Sequence, residues 1–498
     1  MQFVVNFPLF TIVLSLFSGA LCFMLPGKAA RRYTMCYEAF LTVLCLWILQ
    51  YTYLNGAFTY VMGEFPAPWG NEIRAGVLEA TMALIFMIIM LTAVFCGYRF
   101  IEKDLDLSKE NLYYALLNLM TAALLSMIWT NDLFTGYVFL EILTLTSCGL
   151  LIVREIGRTT LAAIRYMILN LLGSGLFLLG VVLLYDLSGH LLMVPIQNAI
   201  RELAADPNTF PVLTISTAIL TIGLSIKSGL FPFHFWMPDT YGWATPTSAA
   251  IMSSLVSKAY IFLLIKIYWR VIGIDIVERM PIRNILLVLG IAGMVIGSVQ
   301  ALHADNINRM AAFSSAANIG YIFMGIGIGG VAGYTAAIFH IFAHAVTKAM
   351  LFLTTPRLAE VSGDSLLFKE LQGSGLRDRD AGVFFTISAF SMIGIPIFAG
   401  FAAKLQFGLA AVEDGTGWRL ILVFLALAVS SMLNALYFVR TIIRIYSRPN
   451  ESTRMEVRPH HRAGYNVPML VLTVMNLFLG LFSWVTVDLI HRGLMMFS

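Results

Sequence analysis

The chain reads as an all-α polytopic membrane protein, and three features lead to that reading. Hydrophobic residues fill 59% of its 498 positions and charged residues only 12%, about half of the roughly 25% that covers a water-facing surface. The apolar residues gather into about fourteen runs, each near the roughly 20 residues that cross about 30 Å of hydrocarbon. Lys and Arg are sorted between alternate connections, as the positive-inside rule requires.

The runs lie at 7–26, 36–55, 78–98, 112–130, 133–153, 160–186, 211–231, 248–270, 283–301, 311–331, 333–354, 381–403, 418–445 and 466–490. No basic residue precedes the first, so it lacks the charged start of a cleaved leader and reads as a true span. The polar segments "RELAADPNTFP" after the sixth run and "TTPRLAEVSGDSLLFKELQGSGLRDRD" after the eleventh are too short to fold as soluble domains. Odd-numbered connections hold about 19 basic residues, against about 7 in the even-numbered ones and both termini. Both termini are therefore expected on the non-cytoplasmic side. The five cysteines (Cys22, Cys36, Cys45, Cys96, Cys148) form no CxxC pair and read as small apolar residues among helices.

Two runs are interrupted. The seventh breaks at "KSGLFPFHFW", with Gly229 and Pro232, and the twelfth at "IGIPIFAGFAAKLQFG", with Gly394 and Pro396. Each interruption is accompanied by one lysine, Lys227 or Lys404. The breaks lie five runs apart, and an odd offset inverts the second unit relative to the first, the pattern of inverted-repeat transporters. Unpaired carbonyls at membrane depth need protein or a water-filled cavity to satisfy them. A broken helix beside a lysine therefore predicts a hydrated site.

Six basic residues lie within runs. Arg165 and Lys266 sit near run ends, where a long side chain can snorkel to the interface. Lys227, Lys258, Lys348 and Lys404 lie deeper, where a charge costs about 2.5–3.5 kcal/mol on insertion scales. Glu141, in "GYVFLEILTLTSCG", is read as the one acid near the middle of a run outside the third. It is the natural partner for Lys227; a neutral acid bonded to a backbone carbonyl is the alternative. Glu79 opens the third run and marks a helix end. In "HIFAHAVTKAM", His340, His344 and Lys348 recur every four residues on one helix face. No third ligand accompanies the two histidines and the lysine repels a cation, so a metal is not expected. Satisfied core histidines remain open beside a proton relay. His234 and Asp239, just past the first break, fit loop contacts as well as a proton entrance.

These motifs resemble one family. "SGLFPFHFWMPDTYGWATPTSAAIMSSLVSKAYIFLL" is similar to the signature of the antiporter-like subunits of respiratory complex I and Mrp sodium/proton antiporters. "NRMAAFSSAANIGYIFMGIG", "HIFAHAVTKAMLFL" and "GIPIFAGFAAK" resemble its later motifs in the same order, so the likeness covers residues 75–445. Upstream, "GEFPAPWGNEIRAG" is similar to the Mrp D subunit and its counterparts in membrane-bound hydrogenases. The resemblance implies fourteen helices with two inverted five-helix units, spans 4–8 and 9–13. The implied divisions are 1–111 (spans 1–3), 112–272, 273–446, and 447–498 (a cytoplasmic basic loop and span 14). It also implies a hydrated row of charged residues in the membrane plane, to which Glu141, Lys227, Lys258, His340, His344, Lys348 and Lys404 each correspond. The chain stops after span 14, without the lateral helix of the largest subunits of these systems.

The expected function is proton translocation by one subunit of a multisubunit complex in the cytoplasmic membrane. Separating Lys227 from Glu141 drives its proton toward Lys258 and on, through His344, His340 and Lys348, to Lys404. No CxxC cluster, no GxGxxG after a strand and no haem-type motif occurs. No catalytic residue, cofactor or metal of its own is therefore expected, and any electron chemistry belongs to partners. The expected partners are other membrane subunits of an Mrp-type antiporter or an Mrp-like hydrogenase or oxidoreductase, with protons, sodium and lipid, and no nucleic acid. A complex I-type pumping subunit, a self-sufficient cation/proton transporter and a static scaffold are the alternatives.

Overall fold

The computed structural model describes residues 2–65, 70–448 and 463–497. Part of the "GEFPAPWGNEIRAG" motif (66–69) and most of the expected basic loop (449–462) lie outside them. Helix α1 (Phe7–Met24) is followed by α2 (Gly27–Asn55), an antiparallel hairpin β1 (Phe58–Val61) and β2 (Glu72–Ala75), and α3 (Val77–Asp104). The hairpin was not foreseen. Then come α4 (Glu110–Trp129), α5 (Leu133–Ile152), α6 (Gly157–Ser188), the short α7 (Met193–Leu203) and α8 (Phe210–Ser228). Span 7 continues past its break into α9 (Met237–Trp243). Span 8 is α10 (Pro246–Ile251), a π-helical turn Met252–Val256 and α11 (Ser257–Ile267). The second half holds α12 (Ile274–Arg279), α13 (Ile282–His303), α14 (Ile307–Ile328), α15 (Gly330–Glu360), α16 (Ser374–Arg377), α17 (Arg379–Ile393), α18 (Ala399–Asp414) and α19 (Gly417–Tyr446). Helices α20 (Ala463–Leu481) and α21 (Ser483–Met495) close the chain.

Among the described residues, thirteen helices are long and apolar enough to cross a membrane. The remaining expected span is the twelfth, present as α17 and α18, halves of 15 and 16 residues. Neither half reaches across alone. Helix α2 starts at Gly27, nine residues before its apolar run. Lys28, Arg31 and Arg32 carry the helix beyond the hydrocarbon, where charges are tolerated. Segment 193–203, whose end lies in the expected polar connection, is helical because Met193, Ile196, Gln197 and Ile200 form one buried face.

Polar contacts sort the connections into two sets. On one face Arg31 pairs with Glu102, Lys103 with Asp364 and Arg154 with Asp104, and Arg154 also donates to the Trp243 carbonyl. On the other, Arg74 donates to the Met496 carbonyl, Gly330 N–H to Glu278, and Arg283 pairs with Asp414. The first set joins odd-numbered connections and the second joins even-numbered ones and the C-terminal end, as an alternating fourteen-span path requires.

Spans 246–272 and 330–360 are enclosed on every side by other helices. They carry Lys258, Lys266, His340, His344 and Lys348. Close approach around them uses small residues. A Cβ on Gly290 of α13 would lie 2.5 Å from the Met324 nitrogen of α14, and one on Gly320 would lie 2.5 Å from the Gly290 carbonyl.

Candidate functional site

The two breaks end in the same backbone device. Gly229 (φ +79°) and Gly394 (φ +92°) adopt the left-handed conformation that glycine reaches without a Cβ penalty. Gly229 N–H bonds the Ile226 carbonyl at 3.2 Å, and Leu230 N–H the Ser225 carbonyl at 3.0 Å. Gly394 N–H bonds the Ser391 carbonyl at 3.1 Å, and Ile395 N–H the Phe390 carbonyl at 3.0 Å. Both are Schellman caps, which satisfy the last carbonyls of a helix that stops inside the protein.

Lys227, fully buried in the last turn of α8, donates to Thr144 Oγ at 2.7 Å. Its ammonium also lies 5.4 Å from the centre of the Tyr260 ring, and the Tyr260 hydroxyl is 3.2 Å from the same threonine. Glu141 sits one turn before Thr144 on α5, within electrostatic range of Lys227. Among the described residues its Oε1 is buried without a hydrogen-bond partner, and the two groups form no ion pair within 4 Å. The expected pair is thus not in contact: Lys227 rests on Thr144, one turn after Glu141 on α5.

Lys258 donates to the Ser253 carbonyl, five residues back, which is the register of the π-helical turn it follows. Such a turn departs from the i→i−4 ladder, and the ammonium takes up a carbonyl there. The Ser253 hydroxyl reaches Ser315 of α14 at 2.9 Å. The adjacent Ser314 accepts from Lys348 at 3.0 Å, and Lys348 also donates to the Ala311 carbonyl at 2.8 Å. Two neighbouring serines of one helix therefore tie a lysine of the first half to a lysine of the second.

His344 is buried, with no partner on either ring nitrogen among the described residues. Its ring lies 5.9 Å from that of His340 and nearly parallel to it. His340 Nε2 meets Asn318 Oδ1 at 3.1 Å, and its ring lies 5.3 Å from Tyr321. The Lys404 ammonium is 5.8 Å from the centre of that tyrosine ring. Lys404 donates to the Ile393 carbonyl at 2.6 Å and to Ser431 Oγ at 2.9 Å. The expected order is corrected at one point. Lys348 is two turns from His340, about 12 Å along the helix, on the side away from Tyr321. The end next to Lys404 is His340.

The flanking residues make separate contacts. Lys266 does not reach an interface: it is fully buried and donates to the Ile128 and Thr130 carbonyls at 2.7 and 2.6 Å. There it satisfies the orphan carbonyls at the end of α4. Arg165 is exposed as expected and pairs with Asp239 at 2.6 Å. His234 bonds Gln300 at 2.8 Å, and Gln300 lines a pocket of about 520 Å³ with Arg158, Trp243 and Arg309. Glu79 does start a helix, but it is buried against Arg74 at 2.7 Å. Glu38 is a second acid deep in a span, hidden from the sequence reading because α2 begins earlier than its apolar run. Sequence reasoning also missed Thr144, Tyr260, Ser253, Ser314 and Ser431. Their only signal is a polar residue inside an apolar run, such as the paired serines of "AAFSSAAN".

Comparison with known proteins fits this geometry. Residues 130–432 match the family described as NADH:quinone oxidoreductase/Mrp antiporter, transmembrane. The N subunit of the NADH-quinone oxidoreductase of Desulforudis audaxviator is 32% identical, with 85% of this chain and 84% of the relative covered. The D subunit of the Na+/H+ antiporter of Alkalihalophilus pseudofirmus is 27% identical over 86% and 84% of the two chains. The same fold occurs in a chain of the Mrp complex from Dietzia sp., with a TM-score of 0.86 at 23% identity, covering 99% of this chain and 97% of that one.

Proposed function

The chain belongs to the NADH:quinone oxidoreductase/Mrp antiporter transmembrane family, and on that footing we propose that it translocates protons as a D-type antiporter-like subunit of a multisubunit complex in the cytoplasmic membrane. The observation that carries this reading is the serine bridge on α14, which ties Lys258 to Lys348 across the two halves. With Lys227 at one end and Lys404 at the other, the buried basic groups form one row. The ring nitrogens of His344 and the Nδ1 of His340 have no partner among the described residues, and buried polar atoms of that kind are where ordered water binds.

In this reading Glu141 sets the charge on Lys227. A carboxylate brought to 4 Å from the ammonium is worth about 4 kcal/mol at an effective dielectric near 20, enough to hold the proton on the lysine. Moving Glu141 away, in a site with only Thr144 and the face of Tyr260 to replace it, releases the proton toward Lys258. From there it passes His344 and His340 to Lys404. Such coupling is reciprocal, so a change in a neighbouring chain drives the proton, or the proton drives the neighbour.

The matching caps at Gly229 and Gly394 support two units, 112–272 and 273–446, related by inversion, with 1–111 and 447–498 flanking them. The basic bias of the odd-numbered connections and the two-face sorting of contacts support a cytoplasmic odd face and both termini outside. The names of the relatives support partners of two kinds. Sodium/proton exchange follows the antiporter relative. A redox-coupled, complex I-type pump is the second reading, favoured by the 32% identity to the oxidoreductase relative.

The test replaces Lys258 by methionine in the assembled complex, in sealed vesicles. Proton movement falls on the order of 100-fold, the scale of one proton-transfer group, while assembly is unchanged. Full proton movement without Lys258 would refute the row. The isolated chain in liposomes is inactive if it works only within a complex, and unaided ion exchange would instead make it a transporter in its own right.

A further inference from the structure

Outside the row, helices α1, α2 and α4 enclose a second polar column. It begins at one face with Arg31 of α2, paired with Glu102 of α3 and 3.6 Å from Glu110 of α4. One turn deeper, Asn118 Nδ2 of α4 donates to Thr34 Oγ at 3.1 Å and to Cys22 Sγ at 3.2 Å. One turn deeper again is Glu38, wholly buried, with Oε1 2.8 Å from Thr121 Oγ. The spacing 31, 34, 38 keeps these side chains on one face of α2. Among the described residues, Glu38 Oε2, Asn118 Oδ1 and Ser18 Oγ are buried without a hydrogen-bond partner.

Counting hydrogens shows what Glu38 carries. The Thr121 hydroxyl lies 2.8 Å from Glu38 Oε1 and 3.1 Å from the Leu117 carbonyl. It has one proton for two acceptors. An ionised Glu38 leaves one of these contacts as oxygen against oxygen. A proton on Oε1 completes both, with the acid donating to Thr121 and Thr121 donating to Leu117. Neither Lys nor Arg pairs with Glu38 within 4 Å among the described residues. The titratable groups around it are Tyr37 and Cys45 on its own helix and Cys22 on α1; α3 and α4 contribute Glu102 and Glu110, both at Arg31. A bare carboxylate at this depth is costly, so the group binds either a proton or a cation. The hydrogen count favours the proton.

We propose that Glu38 is a proton-binding site separate from the lateral row, loaded from the face where Glu102, paired with Arg31, is partly exposed. A proton arriving from that face adds to the Glu38 carboxylate and gives the neutral acid; release returns it by the same column. This does not depend on whether the row itself conducts. The role also differs from packing glue, because glutamine could make the same contacts without ever exchanging a proton.

Infrared difference spectra of the assembled complex in lipid vesicles, recorded across a pH series in light and heavy water, test it. Wild type shows a carboxylic-acid carbonyl band that shifts in heavy water and disappears as pH rises; Glu38→Gln loses the band and Glu38→Asp restores one. Identical spectra for wild type and Glu38→Gln overturn the proposal, as does a band untouched by pH. A band abolished by sodium at fixed pH also overturns it, in favour of a cation site. If Glu38→Gln fails to assemble, Thr121→Val decides: the carboxyl stays but loses its acceptor, so the band moves, and an unmoved band overturns the assignment. Because the readout is a vibration and not pumping, failure here leaves the row's own test intact.

Discussion

The two broken helices solve the same backbone problem and hold their lysines differently. Each stops at a left-handed glycine inside a Schellman cap. At the first break the lysine precedes the glycine, and its ammonium rests on a hydroxyl of another helix, Thr144. At the second the lysine follows, and its ammonium rests on Ile393 O, the carbonyl of the last residue before the cap glycine. An acid lies within range of Lys227, whereas Lys404 forms no ion pair among the described residues. Asn476 of α20 also braces the second break, accepting from Ala399 N–H at 3.3 Å and donating to Ser391 Oγ at 3.0 Å. The difference separates two duties. Lys227 reaches away from its break to a neighbouring helix, with an acid in range, while Lys404 bonds the carbonyl at the end of its own break.

The largest expected effect sharpens that division. Lys227→Ala in the assembled complex lowers proton movement on the order of 100-fold with little loss of stability, because Thr144 keeps its bond to the Leu140 carbonyl at 2.9 Å. Vesicle acidification and thermal unfolding of the same preparation read the two quantities. A marked drop in unfolding temperature would show that Lys227 also braces its break. Glu141→Gln comes next. It removes the charge but keeps the shape, and transport falls more than about tenfold, a loss near 1.4 kcal/mol, with Lys227 still on Thr144. Unaltered transport would detach the acid from the mechanism.

Lys404→Ala separates the breaks from the other side. It strips the half-buried Ile393 carbonyl and Ser431 of their donor, at a cost toward the lower end of the about 1–3 kcal/mol of a fully buried acceptor left unmet. Its signature is a lower unfolding temperature of the complex, a loss that Lys227→Ala does not share. Arginine at 404 restores the donor and much of the stability. An unfolding temperature equal to wild type would dissolve the distinction between the two lysines.

Much of this was legible in the sequence, and the remainder was hidden for physical reasons. Spans, breaks and buried lysines stand out because charge and glycine are rare in hydrocarbon-length runs. The partners do not stand out. Thr144, Ser314 and Ser431 look like any hydroxyl on an apolar helix, where back-bonding to the preceding turn is the ordinary fate. Whether such a residue meets a lysine depends on helix packing, which the hydropathy pattern does not encode. Lys266 read as a snorkelling residue because its position along the run was visible and the end of α4 beside it was not. Glu38 was hidden by the opposite error. A window that stops at the last apolar residue cannot see that three basic residues continue the same helix and place the acid well inside it.

The smallest expected effect lies in the strain at the second break. Ile397 adopts φ +86°, a conformation that a β-branched residue enters at a cost of order 1–3 kcal/mol. Its side chain is 56% exposed, so little packing holds it there. The backbone is held instead, with Gly480 of α20 so close that a Cβ there would fall 2.0 Å from the Ile397 carbonyl. Glycine at 397 removes the steric penalty and gives back part of the gain as chain entropy, for a net rise of about 1 kcal/mol in stability. The first break supplies the control. Leu230, next to its cap glycine, is buried and lies outside the left-handed region. Leu230→Gly therefore forfeits packing without relieving strain, and lowers the unfolding temperature. Opposite signs for the two substitutions, measured on the same complex, would show that the strain is peculiar to the second break. Equal losses would mean that Ile397 is supported by contacts stronger than its exposure suggests.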